Sequence, residues 1–272
     1  MAQPAADTAA LESLLAFWSE AGVDACVEDA PVDRTVKLAP PPRPKPAAPA
    51  PALQAAPGKP DPAVDVAAQI AQAKALAAAA TDLAALEAAI AAFEGCPLKH
   101  QGAKQACFSR GAPDAPVMIV GEGPGADEDA QGAPFVGRAG KLLDKMIEAA
   151  GLTGRVFITN TVFWRPPGNR TPYPAEQLIC RPFLEQAVRL VAPKYLLLVG
   201  GASAKSMLGV EEGILSLRGR WFEWRSEEGD IVLPALPTLH PAFLLRQPAA
   251  KKRAWADLLT LSERVDRLDR PA

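Results

Sequence analysis

The chain is poor in aromatic residues, histidine and cysteine, and neither sign of charge is in excess. Aromatics make up 6% of its 272 residues, and there are only two histidines. Much of the 49% apolar content is alanine, so the true core is smaller than that figure implies. A formal net charge of -2 excludes a globally basic nucleic-acid coat and leaves room only for a local basic patch. No apolar run reaches membrane-spanning length, so no membrane association is expected. The start, "MAQPAADTAALESLL", lacks a basic n-region and a continuous apolar h-region, and a cytoplasmic protein is therefore expected. Cys26, Cys96, Cys107 and Cys180 contain no C-x-x-C pair. That pattern excludes a local zinc knuckle and fits reduced thiols better than a disulfide scaffold.

Proline, in contrast, is abundant, with 28 residues, and it divides the chain. Within an N-terminal segment (1–35), residues 8–23 read as a short amphipathic helix with Leu11, Leu14, Leu15 and Trp18 on one face. This face is a candidate surface for a protein partner. Residues 36–64 are so rich in Pro and Ala that neither helix nor sheet interior is expected, only an extended, disordered linker. Residues 65–272 read as one domain. It opens with alanine-rich helix over 65–93, with Thr81 as a candidate N-cap, Asp82 in the first turn and Gly95 as the stop. Strands then alternate with helices: "PVMIVG", "RVFITNTV", "KYLLLVGG" and "LPTLHPAFLL" read as strands, the last running into a loop. Between them, "GKLLDKMIEAAGL", "PAEQLICRPFLEQAVRLVAP" with a capping threonine in "TPYPAE", and "SAKSMLG" read as helices, and "AAKKRAWADLLTLSERVDRL" closes the chain. The alternation predicts a three-layer α/β/α sandwich around a central, mainly parallel four-stranded sheet. Ligands of such sheets sit beyond the carboxyl ends of the strands.

Those ends carry the chemistry. The first strand runs into "GEGPGADEDAQGAPFVGRAG", the second ends at Asn160 and the fourth at His240. A dinucleotide fingerprint is absent, because Pro124 interrupts the glycine turn and Asn160 stands where a ribose-binding acid is expected. A Walker loop fails for want of G-K-[ST]. An acid, a histidine and an amide instead suit attack by a positioned water, with the histidine stabilising a leaving oxyanion. An amide reads a base edge bidentately, and an aromatic such as Phe135 stacks on a planar ring. Together these parts describe a pocket for a nucleobase taken out of its stack.

Three segments, "GEGPGADEDAQGAPFVGRAGKLLDKM", "ITNTVFWRPPGNRTPYPAE" and "LHPAFLLRQP", in this order over residues 93–262, resemble the signature segments of the type-4 uracil-DNA glycosylases. The resemblance implies hydrolysis of the N-glycosidic bond of uracil in DNA, the start of base excision repair. It implies catalytic roles for Glu128, His240 and Glu122, with Glu128 foremost in orienting water or stabilising charge. Gly123, Gly125, Phe135, Asn160 and Asn169 would bind the substrate. Arg138, Arg165 and Arg170 would meet DNA phosphates, with the loop Leu244 to Arg246 wedged into the duplex. A monomer acting on uracil-containing DNA is expected. The alternative is a silenced site in a protein that binds uracil-DNA or signals damage.

Members of that family usually hold an iron-sulfur cluster on four cysteines. Here Cys96 and Cys180 are retained, while Phe93 and Trp164 stand at the other two positions. Two thiolates do not complete a four-cysteine site. No cofactor is therefore expected, with Cys107 and Cys26 the only thiols left to stand in and the aromatic pair available to fill the volume by packing.

Overall fold

The computed structural model describes residues 65–268. The expected helix over 8–23, the linker over 36–64 and Cys26 lie outside the described residues. The domain opens with two short helices, α1 (Val66–Ala79) and α2 (Leu83–Ala92). Aspartates cap both: Asp65 Oδ1 accepts from the Ala68 amide at 3.1 Å and Asp82 Oδ1 from the Ala85 amide at 2.8 Å. The cap of α2 is thus Asp82, not Thr81, because its carboxylate reaches the orphan amide at the third helical position. The helix stops at Ala92, before Gly95.

The sheet has six strands in the order β1-β3-β2-β4-β6-β5. The four central ones, β3 (Val156–Asn160), β2 (Val117–Gly121), β4 (Tyr195–Val199) and β6 (Val232–Thr238), are parallel, as the alternation predicts. Two antiparallel edge strands, β1 (Arg110–Gly111) and β5 (Phe222–Arg225), were not foreseen. They are too short to leave a period in the sequence. The strands of the sheet's centre are apolar on both faces because both are covered. Met118, Val120, Phe157, Leu196 and Leu198 face a core shared with α1, α2 and α6 (Pro174–Val191). Their neighbours Val117, Ile119, Ile158, Leu197 and Val199 face α5 (Arg138–Ala149) and α10 (Lys251–Leu268). The period of two between the clusters is the strand's own geometry, and it produces the three layers.

The shorter helices are α3 (Pro97–His100), α4 (Ala126–Gln131), α7 (Gly201–Leu208), α8 (Ile214–Leu217) and α9 (Pro241–Arg246). The segment expected to run from strand to loop instead turns into α9, with Pro241 at its first position, where a missing N–H costs nothing. α6 is capped at Tyr173 rather than at the threonine two residues earlier: the Tyr173 amide donates to Glu176 Oε2 at 2.7 Å. The register aligns Gly121 with Asn160 and Val199 with Thr238, so the carboxyl ends of the four parallel strands finish level. At the last of them, Asp257 of α10 accepts from Thr238 Oγ1 at 2.8 Å and from Arg218 Nε at 3.0 Å, fixing the strand end two residues before His240. No described helix is long and apolar enough to cross a membrane.

Candidate active site

At that edge opens a cleft of about 530 Å³ lined by Glu122, Gly123, Gly125, Glu128, Phe135, Asn169, Arg170, His240 and Arg246, among others. Most of the residues proposed from sequence are therefore brought together, although they span more than a hundred positions.

Phe135 is buried and adopts a left-handed backbone (φ 54°), which a bulky residue seldom does. Its surroundings hold it there. Arg110 Nε donates to the Pro134 carbonyl at 2.8 Å, and the Arg110 guanidinium also donates to the Phe135 carbonyl at 3.0 Å and to Asp144 at 2.6 Å. Gly140 lies so close beneath that a Cβ there would collide with the Phe135 carbonyl. The ring meets that of His240 at 5.7 Å between centroids.

His240 caps α9. Its Nδ1 accepts from the Ala242 amide at 3.1 Å, which places the ring proton on Nε2. Burial, and next the Arg246 cation, push the imidazolium down to about 4, against a smaller pull from Glu128. The ring is thus a neutral donor at neutral pH. Gly200, at φ 97°, backs it closely: a Cβ there would stand 3.1 Å from the His240 Cβ.

Asn160 is buried at the end of β3, and among the described residues its Oδ1 has no hydrogen-bond partner. It is not among the residues that line the open cleft. Asn160 Oδ1 and the Phe135 ring converge on Gly121, where a Cβ would strike both. Glycine is needed here for close approach. A buried carbonyl oxygen without a partner is uncommon in a folded protein.

The two glutamates differ. Glu128 is engaged entirely with the loop: Oε2 accepts from the Gly125 amide at 3.1 Å, and Oε1 from the amides of Val136 and Gly137 at 3.0 and 2.9 Å. It closes the glycine-rich turn, reaching back to the N-cap of α4 and across to the start of α5. Glu122 contributes only its carbonyl, to Thr161 Oγ1 at 2.6 Å, and among the described residues its carboxylate has no hydrogen bond or ion pair. Asp129 accepts from the Lys104 amide at 2.8 Å and is buried, a structural acid.

The expected DNA contacts separate as well. Within the expected wedge, Leu244 is only 1% exposed and packs with Leu239 and Ala254. The helical turn of α9 sends Leu245 outward instead, at 39% exposure. Arg246 is exposed at the cleft. Arg138 is exposed at the start of α5 but outside the cleft lining, and Arg165 donates to Asn169 Oδ1 at 2.7 Å. Arg170 lines the cleft but is committed to Glu176 by two bonds of 2.8 and 2.6 Å. Arg110, the clamp on Phe135, escaped sequence reading because nothing local ties it to a turn 25 residues away. Phe243, another lining residue, was within reach as a neighbour of His240.

The cluster site implied by the resemblance does not fit this chain. Cys96 and Cys180 are buried with their sulfurs 3.9 Å apart. The other two corners are aromatic: Phe93 stands 6.5 Å from Trp164 and 5.2 Å from Phe183, all within one core. Cys107 donates to the Glu128 carbonyl at 3.1 Å, and burial pushes its thiol up to about 12. Among the described residues no three His, Cys, Asp or Glu side chains are grouped to hold a metal ion.

Residues 108–259 match the model of the uracil DNA glycosylase superfamily. The chain is 41% identical over 159 residues to a type-4 uracil-DNA glycosylase of Sulfurisphaera tokodaii, covering 56% of this chain and 71% of the relative. It is 38% identical over 182 residues to the type-4 enzyme of Pyrobaculum aerophilum, covering 65% and 91%. The type-4 enzyme of Thermotoga maritima is 36% identical over 160 residues, covering 58% and 80%. With strand ends, cleft and sequence in accord, the chain belongs to the uracil-DNA glycosylase superfamily.

Proposed function

We propose that residues 65–272 form a catalytic domain that removes uracil from DNA by hydrolysing its N-glycosidic bond. The observation that carries this reading is one cleft lined by Phe135, a neutral His240 and the uncommitted carboxylate of Glu122. Uracil turned out of the stack would lie against Phe135. The unpartnered Asn160 Oδ1 would accept from its N3–H, a donor that cytosine lacks. As the bond from sugar C1′ to uracil N1 breaks, the electron pair leaves with the base and spreads over its carbonyl oxygens. His240 Nε2–H would hydrogen-bond one of those oxygens without transferring its proton. Water adds to C1′ from the other side, and the Glu122 carboxylate would offset the positive charge on the sugar and take the water's proton. Glu128, by contrast, shapes the loop that carries Glu122 and Phe135. This division of labour replaces the sequence expectation that made Glu128 foremost.

The partner is uracil-containing DNA, met by Arg246, Arg138 and Leu245 around the cleft, and the protein works as a cytoplasmic monomer. In place of a cluster, the Phe93–Trp164–Phe183 core joins α2, α6 and the segment after β3. A silenced site is the lesser reading, since Glu122, Phe135 and His240 line one cleft. The test is uracil release from a labelled oligonucleotide, read as strand cleavage after alkali. Wild type should release uracil, and Glu122→Gln and His240→Ala should not. Retained binding of uracil-DNA without an abasic product would favour the silenced reading.

A further inference from the structure

Tyr173 has no role in the chemistry above, yet its placement is specific. It is the N-cap of α6, where Ser, Thr, Asp or Asn would serve the helix better, and its side chain makes no capping bond. The residue is 59% exposed. One face of its ring is covered by the Arg170 guanidinium, 3.8 Å from the ring centroid. Arg170 is itself held by both oxygens of Glu176, and Glu176 Oε2 also accepts from the Tyr173 amide. A single buried carboxylate thus fixes both the backbone of the tyrosine and the plate behind its ring. Arg170 lines the cleft, so that guanidinium stands between the cleft and the ring it covers. The preceding Thr171 and Pro172 line both that cleft and a second groove of about 410 Å³ running past Gln177, Arg181 and Lys205. A rigid aromatic with one face backed and the other open, beside a pocket for an extruded base, matches the stacking platforms of proteins that hold unpaired strands.

We propose that Tyr173 stacks on an unpaired base next to the uracil, on the same strand, and so positions the strand as it enters the cleft. The proposal rests on the uracil-DNA reading given above. Arg170 then acts by backing the ring rather than by meeting phosphate.

The experiment uses the full chain and single-stranded oligonucleotides carrying 2′-fluoro-deoxyuridine, whose glycosidic bond resists cleavage, with 2-aminopurine at either neighbouring position. Wild type should quench the 2-aminopurine at one of the two neighbours. Tyr173→Ala should abolish that quenching and weaken binding about tenfold, the scale of one base–aromatic stack. Tyr173→Phe and Tyr173→Trp should retain both, whereas Tyr173→Leu, apolar but not planar, should behave like alanine. On cleavable single strands, Tyr173→Ala should raise KM with little change in single-turnover rate. Quenching and affinity unchanged in Tyr173→Ala, or a loss shared by Tyr173→Phe, would overturn the proposal. Absence of uracil release by wild type would overturn the enzymatic reading while leaving the binding and quenching results to judge the platform.

Discussion

The sharpest test of the site is to separate its two glutamates. Glu128→Ala removes a carboxylate that accepts three backbone N–H bonds. A hydrogen bond to a charged group nets roughly 1.5–3 kcal/mol, and the half-exposed position favours the low end with some water replacement. A total near 3 kcal/mol is expected, which for a domain of this size lowers Tm by about 6–12 °C. Glu128→Gln keeps one acceptor oxygen but turns a donor toward the remaining amides, and should lose roughly half as much. Glu122→Gln breaks no side-chain bond and should stay within about 0.5 kcal/mol of wild type. Activity should rank differently. Glu122→Gln should lower the single-turnover rate by about 10²–10⁴, the range of general acid–base catalysis. Glu128→Gln should lose less, in step with its loop. Thermal melts and single-turnover uracil release, run on the same preparations, measure both quantities. A Glu128→Gln protein that melts like wild type but is inactive, beside a Glu122→Gln protein that works, would refute the assignment and return the chemistry to Glu128.

Further expectations concern His240, the wedge and the residues at the implied cluster positions. The folded pKa of His240, about 4, lies below its ordinary 6.5, so the unfolded chain binds the extra proton first. Its contribution to stability is whole above pH 6.5 and is lost as pH falls from there toward 4. A His240→Asn variant should show a shallower loss of Tm over that window, and the wild-type rate should show no His240 titration near 6.5. Leu244→Ala should cost about 2–5 kcal/mol as a buried truncation. Leu245→Ala should melt like wild type and lose activity chiefly on duplex DNA, and the reverse pattern would reject the outward leucine as the wedge. Anaerobically purified protein should lack iron and a visible iron-sulfur band. Trp164→Ala should destabilise it by about 3–5 kcal/mol, and the double variant Phe93→Cys/Trp164→Cys should bind iron if the corner positions are read correctly. Iron in the wild-type protein would overturn the packing account.

Patterns with a period or a strong local rule were legible in the sequence. The four parallel strands carry continuous apolar runs because both faces are buried, and His240 and Asn160 stand out as polar groups where such runs end. Other features had no local signal. β1 and β5 are too short to show a period. Thr81 and Asp82 are both competent caps, and the chain's path between α1 and α2 chose the aspartate. Leu244 and Leu245 are identical residues side by side, and nothing in their order says which will face the core.

By itself the sequence determined the layered α/β class and the residues gathered at the strand ends. These follow from composition and spacing, which exist before folding. The tertiary structure alone decided which acids are free. Glu122 and Glu128 have the same carboxyl group and lie six positions apart in one loop, but the folded turn delivers three amides to one and none to the other. It likewise decided that Arg170 backs a tyrosine and that His240 is neutral. Each of these properties depends on groups brought from elsewhere in the chain, and on the loss of water that folding imposes on them.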